Sequence, residues 1–219
     1  MLQYRRKKKG VFAMSQEKAK AILAAASQAL QRSGLETERM RLRLFQEADF
    51  PEFCAYILQK EQQRLSGNEE IETVAEAREL FDWLLHPQHP PLSFAIVLKD
   101  EGCVVGNFSL GYSPFLDSDP RLADKRGLSL SFVLNEDYWR RGLMTELLRA
   151  ALDWVFRETD LDFVNTGYFV FNEGSRRVQD KAGMPPFGSF VFERDGKRIP
   201  TEERVLFREE WEKKKGDRF

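Results

Sequence analysis

The stretch that most constrains the fold of this chain is residues 128–154, where an alternating strand runs through a polar turn into an amphipathic helix. Apolar residues alternate along the strand, on the face of Leu128, Leu130, Phe132 and Leu134. After the turn, apolar residues recur at helical spacing and form a single stripe. This order aims the first backbone N–H groups of the helix at one point in space.

The turn between these elements, Arg140-Arg141-Gly142, has the features of an anion site. The first N–H groups of a helix lack partners and carry a partial positive charge, so they favour a phosphate or pyrophosphate. The two arginines add positive charge, and Gly142 tolerates positive φ and lets a bulky anion come close to the backbone. The alternative is a solvated arginine turn with a glycine that serves only the loop.

Composition excludes several classes of function. The 219 residues carry a net charge of −1, with 42% hydrophobic and 32% charged residues, which is typical of a globular protein and argues against a body that coats nucleic acid. No apolar run reaches the ~20 residues of a membrane span. Cys54 and Cys103 have no metal-ligand spacing, so we expect free thiols, with a single disulfide as the alternative, no metal and a cytoplasmic location. The basic run at residues 5–9 leaves nucleic acid or a membrane surface as a weaker alternative.

The patterns predict a main domain over residues 36–211. Residues 1–35 form an N-terminal extension, a basic disordered tail followed by a helix at 15–33, with Met14 as an alternative start; residues 212–219 form a charged C-terminal tail. Strands are expected at 39–45, 93–98, 104–110, 128–134, 163–171, 189–193 and 205–207. Helices are expected from 49 to about 64, from 73 to 85, after Gly142, and before Gly183. Strands with helices inserted between them indicate an α/β fold.

Four segments in this order resemble the GCN5-related N-acetyltransferase family, and specifically its RimJ/RimL-like ribosomal-protein N-terminal acetyltransferase branch. They are residues 36–43, 94–108, 138–146 and 172–184. The resemblance implies a mixed, mostly antiparallel central sheet of about six to seven strands, splayed in the middle and flanked by helices. It also implies an enzyme, a monomer or homodimer, that moves an acetyl group from acetyl-CoA to a primary amine by direct attack.

The resemblance also implies where acetyl-CoA is held. The pyrophosphate would meet the turn and the first helical residues, namely Arg140, Arg141, Gly142, Leu143, Met144 and Thr145. The pantetheine amides would pair with the strand backbone at Phe132, Val133 and Leu134. Asn172 and Ser175 match the family's polar pair beside the thioester sulfur, which gives Ser175 the role of proton donor to the leaving thiolate. Alternatively, Asn172 caps the next helix and Ser175 lies in its first turn.

The chain departs from the family at four places. Glycine is usual at Arg140, and glycine or alanine at Met144. The family often has a glutamate on the line of Ser129, so the general base of this chain is left unassigned. Met184 and the two prolines after it replace the usual phenylalanine and its continuation.

The acceptor site is expected between the first helices, the loop at 112–115 and the last hairpin. Phe81, Trp83 and Tyr112 are candidates to line it, with a place in the core as the alternative, and His86 and His89 are read as loop residues. A protein or peptide N-terminus is the leading acceptor. A small amine (polyamine, amino acid or aminoglycoside) would be favoured by a rim of carboxylates, and a catalytically silent acyl-CoA-binding module is the third hypothesis.

Overall fold

The computed structural model describes residues 12–67, 70–86, 92–112, 119–122, 124–194 and 196–216. The helices are α1 (Phe12–Ser33), α2 (Phe50–Ile57), α3 (Lys60–Leu65), α4 (Val74–Leu85), α5 (Leu143–Glu158), α6 (Glu173–Ala182) and α7 (Arg208–Gly216). The strands are β1 (Leu35–Glu36), β2 (Met40–Arg43), β3 (Ser93–Leu98), β4 (Val104–Gly111), β5 (Gly127–Leu134), β6 (Phe163–Phe169), β7 (Pro186–Arg194) and β8 (Lys197–Phe207).

All eight strands form one sheet in the order β1-β2-β3-β4-β5-β6-β8-β7. The pair β5–β6 is parallel, and the other six pairs are antiparallel. β5 and β6 share three residue pairs, the last between Ser129 and Asn165, and then separate. The predicted α/β fold with a mixed, mostly antiparallel sheet splayed in the middle is confirmed; the strand beyond the expected six to seven is the two-residue β1.

Helices cover both faces of the sheet. One face buries the main core, in which the apolar stripe of α5 packs on side chains such as Leu128, Leu130 and Val164. The other face buries a smaller core under α2 and α4, built from aromatic rings such as Phe53 and Phe81. Alternate residues of each strand therefore belong to different layers.

Helix α1 adds to the main core. Ile22, Ala26 and Leu30 are buried there, and the Trp154 indole on α5 donates a hydrogen bond of 2.8 Å to the hydroxyl of Ser33. The chain then turns at Gly34, where φ is +66°. The helical part of the predicted N-terminal extension thus shares its packing with the sheet.

Several boundaries differ from those that the sequence predicts. The helix expected from 49 to about 64 is two helices, because Gln59 adopts an extended conformation and begins α3. The strand expected over 163–171 ends at Phe169, and the last two strands are longer than expected. The C-terminal helix α7 extends through Gly216, into the region expected to be a tail, and the Trp211 indole is anchored to Asp153.

Some predicted features lie outside the described residues: the basic run at 5–9, His89 and the prolines beside it, loop residues 113–115, and residues 217–219. Within the described part of the chain, no helix is long and apolar enough to cross a membrane.

Candidate active site

The separation of β5 from β6 opens a gap in the sheet next to the N-terminus of α5. Beyond the pair Ser129–Asn165, β5 continues to Leu134 and β6 to Phe169 without pairing with each other. The chain then passes through the short 3-10 helix Glu136–Tyr138 and turns into α5. A strand edge and a helix N-terminus, both of which present unpaired backbone groups, therefore meet at one place.

The turn into α5 has a left-handed backbone at two residues. Gly142 is the N-cap with φ +79°, and Arg140 has φ +61°, which makes it the one non-glycine residue with positive φ in the described chain. A side chain in this region costs ~1–2 kcal/mol. The glycine that the resembling family has at Arg140 fits this geometry, and the chain holds an exposed arginine there instead.

Arg39, just before β2, fastens this turn from outside. Its guanidinium donates to a Glu146 carboxylate oxygen on α5 at 2.7 Å and to the Arg141 carbonyl at 2.9 Å. Burial raises the pKa of Glu146, but hydrogen bonds from Thr37 and Arg39 outweigh it and hold the pKa below its usual value. The carboxylate is therefore ionised near neutral pH and locks the turn onto the helix.

The N-terminus of α5 is suited to an anion. Its first backbone hydrogen bond runs from Glu146 N–H to the Gly142 carbonyl, so the N–H groups of Leu143, Met144 and Thr145 precede the helical ladder. A Cβ built on Gly142 would have a guanidinium nitrogen of Arg39 as its neighbour, at 3.6 Å. A diphosphate at this point would meet backbone donors and a cation, which fits the residues present.

The side chains of Leu143 and Met144 point away from this anion site. Both are buried in the main core, so Met144 anchors the first turn of α5 instead of filling the space above it. Arg141 also folds back, with its guanidinium 4.7 Å from the centre of the Tyr138 ring and a hydrogen bond to the Asp137 carbonyl. Thr145 is partly exposed. The methionine that replaces the family's small residue therefore leaves the backbone donors uncovered.

The hydrogen-bonding direction of β5 alternates, which decides which of its residues face the gap. The Asn135 N–H donates to the Val105 carbonyl at 2.8 Å, and the register with β4 continues through Val133 opposite Asn107. In an antiparallel ladder every second pair exchanges hydrogen bonds, so the backbone of Val133 is bonded to β4. The backbone groups of Phe132 and Leu134 point the other way, into the gap.

Part of this edge already has a partner. The Trp139 indole donates to the Leu134 carbonyl at 2.7 Å, which leaves both backbone groups of Phe132 and the N–H of Leu134 along the gap. An extended amide-bearing chain could pair with them as an added half-strand. Of the three strand residues expected to contact pantetheine, Phe132 and Leu134 have the required direction, whereas Val133 is directed at β4.

The loop that precedes α5 is also tied to the helices on the other face. The Gln59 amide donates to Asn135 Oδ1 at 2.8 Å and accepts the Glu136 N–H at 2.9 Å. These bonds tie the break between α2 and α3 to the loop before α5. A cavity of about 600 Å³ lies beside this junction, lined by Glu61, Glu136, Asp137, Trp139 and Arg140.

Asn172 and Ser175 lie together at the start of α6. The Asn172 side chain accepts the Ser175 N–H at 2.9 Å as a helix cap and donates to the Leu65 carbonyl at 3.0 Å. The Ser175 hydroxyl accepts a hydrogen bond of 3.0 Å from the amide of Gln179, a fully buried residue. Because the hydroxyl oxygen is occupied as an acceptor, its own proton is left to donate elsewhere.

A row of polar side chains crosses the sheet on the face of α2 and α4. Ser93 and Ser109 share a hydrogen bond of 2.9 Å, and the amide of Asn107 reaches both hydroxyls at 3.3–3.4 Å. The Tyr56 hydroxyl donates to Asn107, and burial raises the pKa of this phenol well above its usual value, so it stays protonated. These neutral groups offer hydrogen bonds without charge.

The row continues onto β6 and β8 at the last paired position before the gap, through Ser129, Asn165 and Glu203. The Ser129 hydroxyl donates to the Asn165 side-chain oxygen, and the Asn165 amide donates to a Glu203 carboxylate oxygen at 2.8 Å. Glu203 is 4% exposed. The sequence did not single out Gln179, Asn165 or Glu203, because each acquires its meaning from a partner on another element.

The three aromatic candidates for the acceptor site differ in their exposure. Phe81 is fully buried in the core under α2 and α4, so it is a core residue. Trp83 is 37% exposed and Tyr112 is partly exposed. In the described part of the chain, no three His, Cys, Asp or Glu side chains are grouped to hold a metal ion.

Comparisons with known proteins agree with this fold. A family model described as "Acetyltransferase (GNAT) domain" matches residues 39–185. No curated protein sequence matches the chain. Among solved structures, a GNAT-family acetyltransferase from Bacillus anthracis superposes with a TM-score of 0.68 at 19% identity, over 80% of this chain and 99% of that one.

Two further structures carry more specific descriptions. A ribosomal-protein-S5-alanine acetyltransferase from Vibrio fischeri has a TM-score of 0.62 at 18% identity, over 81% of this chain and 98% of its own. A spermidine N-acetyltransferase from Vibrio cholerae, in complex with CoA and spermine, has a TM-score of 0.60 at 16% identity, over 79% and 98%. At these identities the likeness shows a shared fold.

Proposed function

The chain belongs to the GNAT family of acetyltransferases, and we propose that it moves the acetyl group of acetyl-CoA to the α-amine of a protein or peptide. As a member of that family it is an acetyl-CoA-dependent N-acetyltransferase. Its acceptor and its reacting residues are inferred from the site.

The acceptor assignment depends on the row of neutral polar groups beside the gap. Ser93, Asn107 and Ser129 are partly exposed, and Ser131 is exposed on the same face. A peptide backbone needs hydrogen-bond partners on both sides of its amides, which hydroxyls and amides provide. A polyamine would instead be matched by a rim of carboxylates, and this row contributes a single one, Glu203.

Acetyl-CoA supplies the acetyl thioester, and the chain's residues position it. The N–H groups of Leu143, Met144 and Thr145 would hold the pyrophosphate with Arg140 and Arg39 nearby. The backbone of Phe132 and Leu134 would pair with the pantetheine amides. A gap-facing N–H of β5 would stabilise negative charge that develops on the thioester oxygen.

The bond changes balance with Ser175 as the proton donor. The amine nitrogen forms a bond to the acetyl carbon, the carbon–sulfur bond breaks, and its electron pair goes to sulfur. The Ser175 hydroxyl gives its proton to that thiolate and regains one through solvent from the attacking nitrogen. Gln179 and Asn172 act as positioning residues, because the first fixes the hydroxyl oxygen and the second fixes the helix start.

A thiol-release assay over a panel of amines tests the acceptor. We expect peptides with a free N-terminus to react with a higher kcat/KM than spermidine, free amino acids or an aminoglycoside, and the same peptides with a blocked N-terminus to be inert. A preference for spermidine would replace the proposal with a small-amine acceptor. Acetyl-CoA binding without thiol release for any amine would indicate a silent binding module.

A pair of variants at Gly142 tests the cofactor site independently of the acceptor. Gly142→Ala and Gly142→Glu share the strain of positive φ, but the second also places a carboxylate at the N-terminus of α5. We expect calorimetry to show that Glu abolishes acetyl-CoA binding while Ala retains most of it. Equal affinities in the two variants would place the pyrophosphate elsewhere.

A further inference from the structure

The buried carboxylate of Glu203 is a group that the proposed chemistry leaves unused. It comes from β8, whereas the family glutamate discussed above would stand on β5 at the line of Ser129. Both positions nevertheless belong to one chain of hydrogen bonds, because Asn165 on β6 joins them.

The hydrogen bonds of this chain all run in one direction. The Asn165 amide nitrogen donates to Glu203, so the Asn165 side-chain oxygen points at Ser129. The Ser129 hydroxyl donates its proton in a hydrogen bond to that oxygen. Its remaining lone pairs can then only accept a hydrogen bond, which is what an N–H group of an incoming amine requires.

Two glycines keep side chains away from this chain of bonds. Gly111 is the β4 partner of Ser129, and a Cβ there would be 3.9 Å from the Ser129 Cβ. Gly167 is the β6 partner of Glu203; it is exposed, and a Cβ there would be 3.0 Å from Glu203 Oε1. The carboxylate therefore lies directly against the backbone of Gly167, on the strand that borders the gap.

We propose that Ser129, Asn165 and Glu203 together form the amine-binding end of the acceptor site, with Ser129 accepting the amine N–H and Glu203 as its positioning residue. The inference rests on the proposed acetyl transfer and deepens it. A carboxylate on β8 is thus connected, through Asn165, to the β5 position where this chain lacks the family's glutamate.

Glu203→Gln is the first test, because it keeps the shape and exchanges a carboxylate oxygen for an amide NH2, which competes with the Asn165 amide as the donor of their hydrogen bond. With the best amine of the panel, we expect kcat/KM for the amine to fall about tenfold while KM for acetyl-CoA is unchanged. Glu202→Gln is the matched control and should retain activity, since the carboxylate of Glu202 accepts from the Tyr168 hydroxyl and not from Asn165. A second variant, Gly167→Ala, should reproduce the Gln effect by displacing the carboxylate.

A measurement that needs no turnover separates this inference from the acetyl-transfer proposal. In the CoA complex, titration with methylamine should move the ¹³C carboxyl resonance of Glu203, assigned by its loss in Glu203→Gln. An unmoved resonance would overturn the inference, even if acetyl transfer is active. Wild-type kinetics in Glu203→Gln would overturn the inference too. So would a variant that binds acetyl-CoA more weakly and melts at a lower temperature, because its loss of activity would then be a general defect. An enzyme inert to every amine would remove only the acetyl-transfer proposal.

Discussion

Arg39 and Glu146 lie 107 positions apart and are joined through both backbone and side chain: the Arg39 backbone N–H reaches one carboxylate oxygen at 3.0 Å, and its Nε reaches the other at 2.7 Å. The same arginine holds the Arg141 carbonyl. One ion pair therefore holds the residue just before β2 against the turn that begins α5.

This pair predicts a specific pH dependence. Because the pKa of Glu146 is below its ordinary 4.5 in the folded state, its stabilisation is complete above that value and is lost as the pH falls through the lowered pKa. We expect Glu146→Gln to cost about 1–2 kcal/mol at pH 7 and to flatten the acid side of the stability curve in urea titrations. Glu36→Gln, which breaks an exposed pair with Lys99, should change the curve much less; an equal change would count against the assignment.

The left-handed conformation of Arg140 predicts that replacing it by glycine gives a more stable protein than replacing it by alanine. Arg140→Gly and Arg140→Ala both remove the charge, but only glycine adopts φ +61° without strain. We expect the Gly variant to be more stable than the Ala variant by about 1 kcal/mol in denaturant unfolding. Both should bind acetyl-CoA with the same reduced affinity; identical stabilities would show that the turn relaxes around a side chain.

Ser175 predicts a split between binding and turnover. Ser175→Ala should lower kcat by about 100-fold at unchanged acetyl-CoA affinity, because a general acid acts in the transition state. Gln179→Met should lower kcat less, since it removes the donor that orients the hydroxyl. Ser33→Ala, which removes the α1 hydroxyl that accepts a hydrogen bond from Trp154 on α5, is the matched control and should leave kcat intact. Unchanged turnover in Ser175→Ala would remove this residue from the mechanism.

The alternation along β5 predicts which amides exchange with solvent. The N–H of Val133 is bonded to β4, whereas the N–H of Phe132 faces the gap. In hydrogen-exchange NMR we expect the Phe132 amide to exchange fast in the free protein and to become protected when CoA is added. Val133 is the internal reference and should be slow in both states; protection of Phe132 without CoA would contradict the half-strand assignment.

The sequence predicted the parts of the fold that a local hydrophobic period determines. Strand β5 and helix α5 lie within a residue or so of their expected positions, because alternation and a helical stripe need only neighbouring residues. The break at Gln59 was not predicted: its side chain is hydrogen-bonded to Asn135 and Glu136, 76 and 77 positions away, which a local pattern does not show.

The candidate site divides in the same way. The turn at Gly142 was found because glycine before a helical stripe is a local signal. Glu203 was missed because it stands in a charged stretch near the C-terminus, and its burial comes from strands that pair far along the chain. Likewise, nothing local to Gln179 indicates that its amide fixes the Ser175 hydroxyl.

The packing of α1 has a practical consequence for recombinant work. The family match begins at residue 39, so a gene trimmed to that boundary would omit a helix whose Ile22 and Leu30 are 5% and 3% exposed. Each such side chain is worth ~1.5–3 kcal/mol when buried. A trimmed product would present a bare apolar groove to its neighbours, and poor yield from it would say nothing about the catalytic power of the full-length enzyme.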